Sequence, residues 1–144
     1  MATRTYQPAP NETLGQFVDL LFQRLFFYRD DMPLVFPTWE NDVLADVAIE
    51  LNGKHLTPPA FFELIKNFHE TSFGKLLSIE DLVVVPLDPA ARTGVVSQIS
   101  KFSVTNKADG KTTVNVSVTT VKVEEKDGRR IMTSLVEAQN EVKE

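Results

Sequence analysis

The spacing of hydrophobic residues changes about halfway along the chain. Between residues 14 and 25 they recur every three or four positions, which is typical of an amphipathic helix, and a second face of this kind follows Pro58. From about Leu76 to Val142 apolar and polar residues alternate, which is typical of strands that bury one face. This order predicts an α+β fold in which a long, curved antiparallel sheet wraps around N-terminal helices and leaves a pocket.

Local signals set the expected bounds of the elements. Asn11 is the predicted cap of the first helix, and Thr57 followed by Pro58 predicts the start of a later one. The remaining elements follow from alternation and turn signals, and we predict a short helix over 34–41 and strands over 43–51, 54–56, 75–85, 93–105, 112–124 and 129–142.

One domain is expected. Residues 11–144 contain no linker, and 144 residues are enough to bury a core. Residues 1–10 are polar, hold two prolines and are expected to form a flexible arm.

Composition narrows the classes of function. The chain has no cysteine, a net charge of −5 and no stripe of lysines or arginines, so nucleic acid is not an expected partner. The absence of cysteine favours a cytoplasmic protein. No apolar run is long enough to span a membrane, and the N-terminus lacks the apolar core of a secretory signal. The two histidines are far apart, and phosphate and dinucleotide motifs are absent, so neither a metal nor an organic cofactor is expected.

Two hairpin turns, Asp109-Gly110 and Asp127-Gly128, allow a prediction of which side chains share a face. If both loops have two residues, the charged side chains among the assigned strand positions, Lys101, Lys122, Glu124 and Glu137, all fall into one set, which is therefore the predicted outer face. The uncharged set is predicted to face the helices, and it comprises Val96, Gln98, Ser100, Phe102, Val104, Asn115, Ser117, Thr119, Val121, Val123, Met132, Ser134, Val136, Ala138 and Asn140.

The polar members of this inner set favour a pocket, because hydroxyls and amides in a filled core would each need a partner. The outer set carries an apolar patch, which is typical of an interface, and we predict a homodimer that packs through it. The alternative is that strand propensity alone placed valines there. The residues of the predicted interface are Ile99, Val114, Val116, Val118 and Leu135.

Three segments carry a resemblance to a known family. They are Phe-Pro-Thr-Trp-Glu-Asn-Asp-Val at 36–43, Leu-Asn-Gly-Lys at 51–54 before the helix that starts at Pro58, and Lys-Asp-Gly-Arg-Arg-Ile at 126–131. With the order of elements, they make the chain similar to the nuclear transport factor 2-like superfamily, and within it to the SnoaL-like proteins. The resemblance implies a cone-shaped sheet. It also implies either isomerase, cyclase or lyase chemistry without a cofactor, or a non-catalytic binding or assembly module.

Catalytic members of that superfamily commonly place an Asp near the end of the last strand, facing the pocket. This chain has Gln139 and Asn140 there, and the predicted register puts Glu137 outside. His69 and His55 are therefore the candidate proton carriers, with a structural or surface role as the alternative for each. Asn115 or Asn140 would orient the substrate.

The leading hypothesis is a pocket protein for a small, largely apolar molecule, whether or not it is an enzyme. The alternative is a non-catalytic dimerisation or protein-binding module with a filled interior. A void of roughly 300 Å³ or more with polar atoms in its wall would favour the first hypothesis. The predicted ligand-binding residues are Tyr28, Trp39, Gln98, Ser100, Phe102, Asn115, Ser117, Thr119, Ser134 and Asn140.

Overall fold

The computed structural model describes residues 12–27 and 32–142. Within these ranges no helix is both long and apolar enough to cross a membrane. The elements in chain order are α1 (Leu14–Phe22), which continues into a π-helical segment (Gln23–Phe27), then α2 (Met32–Asp42), β1 (Val43–Leu51), β2 (Lys54–Leu56), α3 (Pro58–Thr71), β3 (Ser72–Pro86), β4 (Gly94–Asn106), β5 (Thr112–Lys126) and β6 (Arg129–Glu141).

Helix α1 begins two residues later than predicted. Its cap is Thr13 and not Asn11, which lies outside the described residues. The Thr13 hydroxyl accepts from the Gln16 N–H at 3.2 Å and the Gln16 side chain accepts from the Thr13 N–H at 3.0 Å, which is a capping box. The box fixes the start of the helix, and Phe17 and Leu21, one turn apart on its apolar stripe, are buried in the core between helices and sheet.

Helix α3 begins as predicted. The Thr57 hydroxyl accepts from the Ala60 N–H at 3.2 Å, and Pro58 occupies the first helical position, where a missing N–H costs nothing. Phe61 and Ile65, one turn apart, are buried against the sheet side of the molecule.

All six strands form one sheet in the order β2-β1-β6-β5-β4-β3. Neighbouring strands run antiparallel, except that β1 runs parallel to β6. The helices cover one face, and the core between helices and sheet includes Leu25, Ile65, Val96, Val121 and Leu135. The predicted fold class is confirmed.

The two long hairpins differ in their loops. Asp127 and Gly128 both have positive φ, 53° and 77°, and Lys126 pairs with Arg129, so this turn has the two residues that were predicted. The β4–β5 loop instead has four residues, 107–110, because the Asn106 N–H donates to the Lys111 carbonyl. The predicted two-residue loop was wrong there, but the shift is by two positions and leaves the faces of β4 and β5 as predicted.

A β-bulge in β6 changes the face of every residue that follows it. Val123 pairs with Met132, whereas Lys122 pairs with Ser134, so Thr133 is an extra residue without a partner of its own on β5. One extra residue reverses the alternation, and the prediction for the rest of β6 was therefore wrong. Leu135, Glu137 and Gln139 face the helices, and the outward residues are Ser134, Val136, Ala138 and Asn140.

Candidate functional site

A cavity of about 340 Å³ lies between the helices and the inner face of the sheet. Helix α1, the π-helical segment and α3 form one wall. Inward side chains of β3 to β6 form the other, together with Leu51 of β1. The interior is thus not filled by side chains.

The helical wall is largely aromatic. Phe22 and Phe26 are one turn apart and project to the same side, and the π-helical segment adds Phe27. The rings pack against one another at the edge of the space, with centroids 5.6 Å apart for Phe26 and Phe68 and 5.5 Å apart for Phe27 and Phe102. The six phenylalanines of the lining are Phe22, Phe26, Phe27, Phe61, Phe68 and Phe102.

The sheet wall is polar and arranged in rows, because directly paired residues of neighbouring strands share a face. The first row consists of Gln98, Thr119 and Glu137, on β4, β5 and β6. In the second row, Ser100 lies opposite Ser117 and their hydroxyl oxygens are 2.7 Å apart. Two hydroxyls carry two protons and this bond uses one, so the second can be donated to a ligand oxygen.

The side chain of Gln98 has a fixed orientation. Its Nε2 donates to the Gly15 carbonyl at 3.1 Å and to Asp81 Oδ1 at 2.7 Å, and both partners are acceptors only. The opposite atom, Oε1, is therefore the acceptor, and it is buried without a hydrogen-bond partner among the described residues.

Glu137 is the titratable group that the bulge brings into this cavity. It lies between Thr119 of β5 and Leu51 of β1, and burial raises the pKa of its carboxyl from 4.5 to about 7. Among the described residues, no Lys, Arg or His lines the cavity. A carboxyl that exchanges its proton near neutral pH is suited to act as a general base or acid.

The raised pKa predicts a pH-dependent stability. Between pH 4.5 and about 7 the unfolded chain releases the Glu137 proton while the folded chain retains it, so the folded state binds more protons there. The free energy of unfolding should fall by up to about 3 kcal/mol as pH rises through this window, and should then level off. Urea unfolding at a series of pH values should show this fall in the natural protein and its loss in Glu137→Gln. Parallel curves for the two proteins would contradict it.

The structure brings together half of the predicted ligand-binding residues. Gln98, Ser100, Phe102, Ser117 and Thr119 all line the cavity. The other predicted residues do not: Trp39 packs against Phe61 and Phe62, Asn115 does not reach the lining, Ser134 and Asn140 face outward, and Tyr28 lies outside the described residues.

Neither predicted proton carrier lines the cavity. His69, in the last turn of α3, places Nε2 2.6 Å from the Leu25 carbonyl, and this bond joins α3 to the π-helical segment. His55 is exposed on the short edge strand β2.

Sequence reasoning missed Glu137, Gln139 and Asp19 as lining residues. Asp19 lies on α1 beside the aromatic wall and follows directly from the helix phase, so the periodicity could have indicated it. The other two depend on the bulge at Thr133. No glycine or positive φ marks that residue, and we find no local signal that would have predicted it.

Comparison with known proteins supports the fold. No protein-family model and no curated protein sequence matches the chain. Among solved structures, an NTF2-like protein from Exiguobacterium sp. 255-15 has a TM-score of 0.60 and 14% identity, with 86% of this chain and 98% of that chain covered.

Two further solved structures are similar to this chain over most of its length. A ketosteroid isomerase-like protein from Erwinia carotovora atroseptica gives a TM-score of 0.59 and 16% identity, over 90% of this chain and 92% of that chain. A conserved protein from Planctomyces limnophilus gives a TM-score of 0.70 and 10% identity, over 89% of this chain and 97% of that chain. The chain therefore has the nuclear transport factor 2-like fold, as the resemblance implied.

Proposed function

We propose that this protein binds a small, largely apolar molecule in the cavity and moves a proton on it, with Glu137 as the general base. The observation that carries the proposal is the position of Glu137, whose carboxyl lies in an apolar cavity with a pKa of about 7. The similarity to a ketosteroid isomerase-like structure supports the same class of chemistry.

The chemistry is removal of a proton from a carbon atom next to a carbonyl. The Glu137 carboxylate takes the proton, the C–H electrons move into an enolate, and the same carboxyl returns the proton to that carbon or to a conjugated one. A hydroxyl of the Ser100–Ser117 pair, which has a proton that the pair itself does not use, can donate to the enolate oxygen. Glu137 thus takes the role that we had predicted for His69 or His55.

The size of the cavity supports a ligand rather than a purely structural module. About 340 Å³ lies within the range of small-molecule sites and exceeds the roughly 300 Å³ set above as the criterion. Six aromatic rings with a polar row opposite match a molecule with an apolar body and a few hydrogen-bonding groups.

Deuterium incorporation into 2-tetralone tests the proposal. This bicyclic ketone is neutral, largely apolar and small enough for the cavity, and its exchange in D₂O is followed by proton NMR. We expect the protein to accelerate exchange above the buffer rate, increasingly so as pH rises through about 7, because the base must be ionised. Exchange at the buffer rate across neutral and mildly alkaline pH would remove the proton-transfer proposal.

We also propose that two copies pack through the outer face of the sheet. Val118, 40% exposed, lies between Ile99 and Ala138 in the register, and Val136, 47% exposed, takes the outward position that was predicted for the buried Leu135. Apolar side chains from three neighbouring strands thus form one patch, which favours an interface.

Val118→Lys is expected to convert a dimer into a monomer, because the interface would have to bury an unpaired ammonium. Thr112→Lys is the matched control, since Thr112 lies on the same face outside the patch and is already exposed. Sedimentation velocity at high protein concentration measures the outcome. A natural protein that stays monomeric, or a Val118→Lys protein that stays dimeric, would contradict the proposed interface.

A further inference from the structure

The lining of the cavity has charge of one sign only. Two carboxyl side chains line it, Asp19 from α1 and Glu137 from β6, and no cationic side chain of the described residues does. We propose that the ligand carries a protonated amine on an apolar, ring-sized body. The inference rests on the proposed function insofar as the cavity is the ligand site, and it names the chemical class of that ligand.

The aromatic wall favours a cation. The face of a phenyl ring carries partial negative charge, and an ammonium near such a face is attracted by it, more strongly where water is excluded. The rings of Phe26, Phe61 and Phe68 form edge-to-face contacts, with Phe26 centroids 6.3 Å and 5.6 Å from the other two.

The lining has an excess of acceptors. Asp19 Oδ1 accepts from the uncharged Gln23 Nε2 at 2.7 Å, and no cationic side chain among the described residues of the lining balances the charge of this carboxylate. Glu137 adds a second carboxyl to the same lining. An ammonium supplies both the N–H donors and the positive charge that these groups can use.

An anionic ligand does not fit the same lining. A phosphate or carboxylate in the cavity would face Asp19 and Glu137 with no described Lys, Arg or His in the lining to pair with it. Burial of an unpaired charge next to like charges is strongly unfavourable. The remaining alternative is a neutral ligand, which the experiment below separates from the amine.

Three probes of nearly the same shape separate charge from hydrogen bonding. They are 2-(1-naphthyl)ethylamine, which has a charge and donors, 2-(1-naphthyl)ethanol, which has a donor only, and 1-propylnaphthalene, which has neither. Binding is measured by naphthalene fluorescence and calorimetry on the unaltered protein near pH 7. We expect the amine to bind at least about tenfold more tightly than the alcohol.

Proton release gives a second readout. Because the pKa of Glu137 is about 7, roughly half of the carboxyls are protonated at that pH, and a bound cation should ionise them. Calorimetry in two buffers of different ionisation enthalpy should therefore show up to about half a proton released per amine bound, and none per alcohol.

Single substitutions test whether the preference for the amine arises from the two carboxyls of the lining. Asp19→Asn and Glu137→Gln should each lower the ratio of amine to alcohol affinity at least about threefold. Glu124→Gln removes the same charge from an exposed site near the β5–β6 turn and should leave the ratio unchanged. If the alcohol or the hydrocarbon binds as tightly as the amine, the inference is wrong while the ligand site stands. If none of the three binds, the inference and the proposed ligand site are both wrong.

Discussion

Replacing Glu137 with Gln should lower the protein-catalysed exchange of deuterium into 2-tetralone by about 10²- to 10⁴-fold, the usual contribution of a general base. Gln keeps the size and polarity of the side chain but cannot accept a proton at neutral pH. Loss of the base rather than loss of the pocket is the expected cause, so binding of 2-tetralone itself should change little.

Two controls show whether the slower exchange in Glu137→Gln is due to loss of the base. Glu124→Gln makes the same chemical change at an exposed site and should keep the full rate. Glu137→Gln should also be at least as stable as the natural protein at pH 7 and above, because it removes a carboxylate whose ionised form is disfavoured by burial. Full activity in a folded Glu137→Gln protein would show that another group is the base.

Leu135→Ala should lower the free energy of unfolding by about 2–5 kcal/mol, the usual cost of truncating a buried leucine to alanine. Leu135 is 1% exposed and belongs to the core cluster with Val121, its direct partner across the sheet, and Ile49 of β1. A cavity opened there lies between well-packed strands and helices, which can relax only partly. Chemical denaturation measures the change.

Val136→Ala is the matched control for Leu135→Ala, and the pair tests which residues of β6 face the core after the bulge. Val136 is the next residue along β6, is 47% exposed in the single chain and faces outward, so its truncation in the monomeric Val118→Lys background should cost no more than about 1 kcal/mol. Without the bulge the two residues would exchange faces. A larger loss for Val136→Ala than for Leu135→Ala would therefore show that Thr133 is not the extra residue in solution.

Much of the architecture follows from local patterns. The helix after Thr57-Pro58, the strand before Asn52-Gly53 and the four long strands all form where alternation and turn residues predict them. The start of α1 was missed although its signal was present. Thr13 and Gln16 have the spacing of a capping box, and this reciprocal pair is more specific than Asn11 alone.

The site was predictable up to the bulge and not beyond it. Gln98, Ser100 and Ser117 lie on β4 and β5, where alternation is unbroken, and all three line the cavity as predicted. Past Thr133 a single unpaired residue reverses the faces. Thr133 is β-branched and suits a regular strand, so its own chemistry does not reveal the extra position.

The choice of His55 and His69 shows that residue type alone does not predict which group has a pKa near 7 in the folded protein. Residue type alone made His55 and His69 the candidates for proton transfer, because histidine titrates near neutral pH without help. In the structure His69 contacts the Leu25 carbonyl, and burial raises the pKa of Glu137 to about 7. Such a shift depends on neighbours that are distant in sequence, among them Leu51 of β1.

The bulge in β6 places the Glu137 carboxyl inside the cavity. The most direct test is a titration of the Glu137 side-chain carboxyl carbon by NMR, with the signal assigned by its absence from Glu137→Gln. We expect a midpoint at about 7. A midpoint near the ordinary 4.5 would mean that the carboxyl faces water, and would contradict the register, the proposed base and the ligand site together.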